Sequence, residues 1–188
     1  MRLLTLAVAA CALTAGSASA QAPATADPGN LTRFGRAIKA RYDTIKRDIV
    51  DAAEAMPEGE YGFRAAPPVR SFAEIVGHVA DSQTFFCGVA AGGNPEYGDQ
   101  IEKSAAPKAA LVRALKDSFA ACDAVYDSLD AVNELATVPA GKGDALRAMM
   151  LLDNISHDNE HYGNIATYMR LKGHVPPSTA RADSCPYV

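Results

Sequence analysis

His157 and His161 stand four residues apart, and a third histidine, His78, lies far upstream. In an α-helix a spacing of four puts two side chains on one face, with about 6 Å of axial rise between them. Two imidazoles so placed can take neighbouring corners of one metal coordination sphere, and a third from another helix can join them. Neutral imidazoles bring no charge, so a divalent cation among three of them keeps its full positive charge and an open coordination position. Such a cation lowers the pKa of a water or thiol and polarises an oxygen, chemistry that suits hydrolysis or thiol transfer. The alternative is structural. A buried histidine is also satisfied by hydrogen bonds, and a spacing of four also arises by chance.

Two carboxylates accompany the trio. Asp153 is one helical turn before His157, and Asp81 one turn after His78. Each could orient a ligand imidazole or act as a base, and each could equally be a solvated surface group. Glu160 lies between the paired histidines in sequence but points about 60° or more off their face. It cannot serve as the general base of a zinc-protease motif, because that motif needs a glutamate directly after His157. Cys87, nine residues after His78, is half a turn away and faces elsewhere. Cys122 sits on an apolar stripe and reads as a small core residue. His174, beyond Gly173, reads as a solvated residue near a helix C-terminus.

Four helices are needed to position these groups. Over residues 31–56, Leu31, Phe34, Ile38, Ile45, Ile49, Ala52 and Met56 recur at helical steps, with charges on the other face. Pro57 and Gly59 end that helix. A second, over 71–91, opens on the capping-box pattern Ser71-Phe72-Ala73-Glu74 and buries Ile75, His78, Ser82, Phe85 and Val89. A third, over 107–129, aligns Leu111, Leu115, Ser118, Cys122, Val125 and Leu129, with Ser104 as its N-cap. The fourth, over 144–172, is closed by Gly173. One of its faces reads Leu146, Met150, Asp153, His157, His161, Asn164, Tyr168, and the adjacent face Met149, Leu152, Ile155, Tyr162, Ala166, Met169 is expected as core. No strand pattern stands out. The fold class is therefore all-α, a four-helix bundle whose long connections allow a crossover.

The chain has 188 residues, 18 Lys+Arg against 22 Asp+Glu and a net charge of -4. That balance argues against a nucleic-acid binder that works by phosphate neutralisation. Residues 1–20 carry one charge, Arg2, then an apolar run and Ala18-Ser19-Ala20 before Gln21. This is the pattern of a cleaved signal peptide, so an exported, periplasmic or secreted protein is expected, with no integral membrane span after cleavage. Residues 21–30 read as a flexible leader, 31–175 as the bundle and 176–188 as a C-terminal tail. Cys87, Cys122 and Cys185 then remain, an odd number in an oxidising compartment, so at most one internal bridge can form. Cys87–Cys185 is the expected pair, both being placed near the surface.

His157-Asp158-Asn159-Glu160-His161-Tyr162-Gly163-Asn164, followed by Tyr168-Met169-Arg170-Leu171-Lys172-Gly173 and Val175-Pro176-Pro177-Ser178, resembles the last helix of the DinB-like superfamily. His78-Val79-Ala80-Asp81 resembles that family's first ligand position. The resemblance covers about residues 31–178. It implies a four-helix bundle with a crossover between helices two and three, a homodimer, and a divalent metal held by His78, His157 and His161. Zinc or nickel leads the expected cofactors, with iron or copper next, since imidazole suits all four. The expected function is a metal-dependent enzyme, a hydrolase or thiol transferase acting on a small molecule. A non-catalytic metal- or ligand-binding bundle and a structural dimerisation module are the alternatives.

Overall fold

The computed structural model describes residues 31–182. The expected signal peptide, the leader segment 21–30 and Cys185 lie outside the described residues. Helix α1 (Arg33–Ala55) starts where the Thr32 hydroxyl accepts the Gly35 N–H at 2.8 Å, a cap worth about 1 kcal/mol. Its buried side carries Ile38, Ile45, Ile49 and Ala52 as expected, joined by fully buried Tyr42, whereas Phe34 is exposed. Helix α2 (Phe72–Ala90) opens on the full capping box. The Glu74 N–H donates to Ser71 Oγ, and the Ser71 N–H donates to Glu74 Oε2 at 2.6 Å. Helix α3 (Lys108–Asp127) begins at Pro107 rather than at Ser104, whose hydroxyl donates to the Ile101 carbonyl instead.

Helix α4 (Arg147–Leu171) begins three residues later than its periodicity predicts. The residues before it form a hairpin, with β1 (Thr137–Ala140) antiparallel to β2 (Gly143–Leu146) and Thr137 opposite Leu146. Gly141 makes the turn at φ +62°, a conformation glycine adopts without strain. Strands of four residues are too short for alternation to stand out in sequence. The segment predicted as a tail also contributes, since α5 (Pro177–Ala182) reaches back to α1 through an Arg181–Asp51 ion pair at 2.7 Å.

The chain is mostly helical, and its helices pack in an order that differs from their order in sequence. α2 lies against α3 and α4, while α1 lies against α4 and α3. Tyr42 donates to the Phe119 carbonyl, Lys39 pairs with Asp127 and Lys46 approaches Asp123, so α1 and α3 run antiparallel. His78 meets His157 and His161 while Gln83, further along α2, meets Asp158 and Asn154, so α2 and α4 are antiparallel too. α2 and α3 run parallel. Ser71 and Glu74 share a cavity with Lys108 and Leu111 at one end, and Cys87 is bonded to Cys122 towards the other.

Two parallel neighbours joined by residues 91–107 require that connection to travel back along α2. It is anchored there by Asp81, whose carboxylate accepts the N–H groups of Ile101 and Glu102 at 2.9–3.1 Å. Gly77 lets the returning connection come this close. A Cβ at that position would lie 2.7 Å from Glu102 Cα, well inside any van der Waals contact.

The disulfide corrects the expected pairing. Cys87 joins Cys122 across α2 and α3 with Cα atoms 5.4 Å apart, not Cys185. Cys87 was expected near the surface, but α3 covers that side of α2 and leaves it 4% exposed. Cross-linking positions 35 residues apart stabilises by about 3–4 kcal/mol in the chain-entropy account.

Candidate metal centre

The antiparallel contact of α2 with α4 brings the three predicted imidazoles together. His157 Nε2 lies 3.1 Å from His78 Nε2 and 3.1 Å from His161 Nε2. The ligand atoms of this trio all fall within 4.8 Å of one another. His78 and His161 are buried and His157 is half-buried. Two nitrogens bound to one zinc at about 2.0–2.1 Å are roughly 3 Å apart, so the spacing suits a shared cation.

Proton bookkeeping points the same way. His78 Nδ1 faces Glu102 Oε2 at 2.9 Å. A carboxylate only accepts, so Nδ1 carries the proton and Nε2 presents a lone pair. His157 Nε2 has one site to offer and two imidazole nitrogens in contact, so a single N–H cannot satisfy both. A cation would accept all three lone pairs. It would also leave Nδ1 of His157 and His161 protonated, and those two buried atoms have no partner among the described residues. Burial lowers the pKa of His157 to about 3 and of His161 to about 4, with the neighbouring imidazoles adding to the effect. Both are therefore neutral at pH 7, the form that ligates metal.

The two carboxylates weighed as partners of the histidines do not touch them. Asp153 is exposed on α4. Asp81 is buried, but it holds the backbone of the crossover rather than an imidazole. The carboxylate that contacts His78 is Glu102, which spacing along α2 or α4 could not reveal because it enters from the connection. Its other oxygen accepts from Arg70 Nε at 2.8 Å. Tyr97 completes this side, with its hydroxyl 3.1 Å from His78 Nδ1 and 3.3 Å from Ser82 Oγ. Ser82 Oγ is in turn 3.3 Å from His157 Nε2. His174 is not a solitary solvated residue, since its Nε2 contacts Glu60 Oε2 at 2.6 Å. It takes no part in the cluster.

Beside the histidines the α2–α4 contact is polar, made by residues that lie on none of the faces singled out from spacing. Gln83 Nε2 donates to both oxygens of Asp158 at 2.6 and 2.7 Å, and Asn154 Nδ2 donates to Gln83 Oε1 at 3.0 Å. All three side chains are fully buried. Burial pushes the Asp158 carboxyl up to about 8, with the Gln83 hydrogen bond working the other way. The face of α4 predicted as core is only partly so, because Met149 is exposed while Ile155, Ala166 and Met169 are buried.

The sequence matches the DinB superfamily over residues 41–165. The chain belongs to that superfamily. Among solved structures it is similar to a DinB-like protein from Bacillus cereus ATCC 10987, at 12% identity and a TM-score of 0.64. That likeness covers 76% of this chain and 95% of the other, and it speaks for a shared fold. No curated protein matches the sequence.

Proposed function

We propose that this DinB-superfamily protein binds one divalent transition metal through His78, His157 and His161 and uses it as an enzyme on a small molecule. The four long helices would form the four-helix bundle of that superfamily, with residues 91–107 as its crossover. The observation that carries the reading is the convergence of three Nε2 atoms from two antiparallel helices, with 3.1 Å between His157 and each of the others. When bound, such a cation lowers the pKa of a thiol or water and polarises an oxygen, which suits thiol transfer or hydrolysis. Zinc or nickel is the favoured occupant, because imidazole ligands suit both.

The protein's own residues supply the rest. Glu102 fixes the tautomer of His78, and Arg70 holds Glu102 in place. The Ser82 hydroxyl brings a hydrogen-bonding group to His157, and that of Tyr97 brings one to His78. Export through residues 1–20 belongs to the same proposal. A buried Cys87–Cys122 bridge is a feature of oxidising compartments, and no described helix is long and apolar enough to cross a membrane.

Elemental analysis of untagged protein tests the metal. About one metal per chain is expected, lost in His157→Ala and kept in His174→Ala. Protein that stays metal-free after incubation with zinc and nickel would refute the site. Turnover on thiol and ester panels, absent from His157→Ala, tests the enzymatic reading; no turnover above buffer would leave a metal-binding module.

A further inference from the structure

We propose that the groove beside His161 seats the carboxylate of a small aliphatic substrate, and that Arg70 is the residue that selects it. The inference rests on the metal reading above and adds the class of substrate to it. The groove holds about 330 Å³ between the segment before α2 and the face of α4 that carries His161, at the small end of the range for ligand pockets. Ala66, Val69 and Ile75 supply apolar wall, and Arg70 and Asn164 supply donors.

Arg70 is built into place. The Tyr168 hydroxyl donates to its carbonyl at 2.7 Å, and its Nε donates to Glu102 at 2.8 Å. Among the described residues its two Nη groups have no partner, and the side chain is 41% exposed. A guanidinium fixed by Nε with both Nη groups free is a planar fork, which matches the two oxygens of a carboxylate. The same Glu102 that holds Arg70 holds His78, so the fork stands one carboxylate away from the histidine cluster. Glu160 lines the groove as well and disfavours a second negative charge. The fit is to a monocarboxylate with a short apolar stem whose other end reaches the histidines.

Cobalt-loaded protein provides the test, because a thiolate bound to cobalt gives a charge-transfer band. A series of ω-mercaptocarboxylates of increasing length is titrated against the matching ω-mercaptoalcohols. At the fitting length the acid is expected to bind about ten-fold more tightly than the alcohol or better. Arg70→Gln loaded with cobalt is expected to lose that preference, acid and alcohol then binding alike whatever the common change in affinity. A Glu160→Gln variant gives a second readout that leaves Arg70 intact: mercaptosuccinate binding should rise by a larger factor than monocarboxylate binding. Cobalt uptake with no acid preference at any length overturns this proposal alone, as does a preference that survives in Arg70→Gln. A chain that takes up no cobalt removes the metal reading together with it.

Discussion

Glu102 Oε2 lies 2.9 Å from His78 Nδ1, joining the returning connection to a histidine of α2. The contact ties the setting of His78 to loop placement, because the Glu102 backbone is itself held by Asp81. Exchanging Glu102 for Gln keeps the shape and removes the charge that fixes the tautomer. Metal affinity is expected to fall about 10–100-fold, the usual effect of losing an outer carboxylate, with the helical content unchanged. Competition against a chromophoric chelator measures this; wild-type affinity in Glu102→Gln would show that the carboxylate does not orient the ligand.

Gly77→Ala separates packing from helix propensity. In an exposed helix this exchange gains up to about 1 kcal/mol. Here the new Cβ would meet backbone atoms of Glu102 at 2.7 and 2.8 Å. A loss of about 1–3 kcal/mol in urea unfolding is expected, accompanied by weaker metal binding as Glu102 is displaced. A stabilised Gly77→Ala protein would mean the connection is free to move away.

The Cys87–Cys122 bridge should contribute to stability without serving the site. Replacing both by Ala is expected to cost about 2–4 kcal/mol, while metal uptake at saturating metal is retained. Calorimetry and elemental analysis on the same sample check the two halves. Loss of metal from a variant that is still folded would mean that the bridge sets the histidine geometry as well.

Acid should unfold the metal-free protein through its histidines. In the unfolded chain His157 and His161 take up protons from about pH 6.5 downward, whereas in the folded chain they resist until about 3 and about 4. Between those limits the unfolded state binds more protons, so stability rises with pH there and falls as pH drops below about 6.5. Urea midpoints at pH 7 and pH 5 should differ more for the metal-free wild type than for a His157→Gln, His161→Gln double variant. Equal differences would place the acid sensitivity elsewhere.

Much of the helical framework could be read directly from residue order. The Ser71–Glu74 cap, the pairing of His157 with His161 on one face and the Gly173 stop, with φ +80°, depend on residues within a turn or two of each other. Local spacing carries that information because helix geometry is regular. It also placed His78 on the inward side of α2.

Glu102 and Arg70 had no such signal. Each comes from outside the long helices, and each matters because a parallel α2–α3 pair forces the chain to return beside His78. Asp158 was hidden for a related reason. A helical pattern tells in which direction a side chain leaves its own axis, but not which directions other helices will cover. α2 is covered on nearly every side, so Cys87 found Cys122 on α3 and Gln83 found Asp158 on α4. Residue types and spacing alone marked out the four long helices and singled out the three imidazoles as candidates. The carboxylate behind them, the guanidinium beside them and the cysteine pairing were decided by tertiary packing, which brings together groups that no short-range periodicity relates.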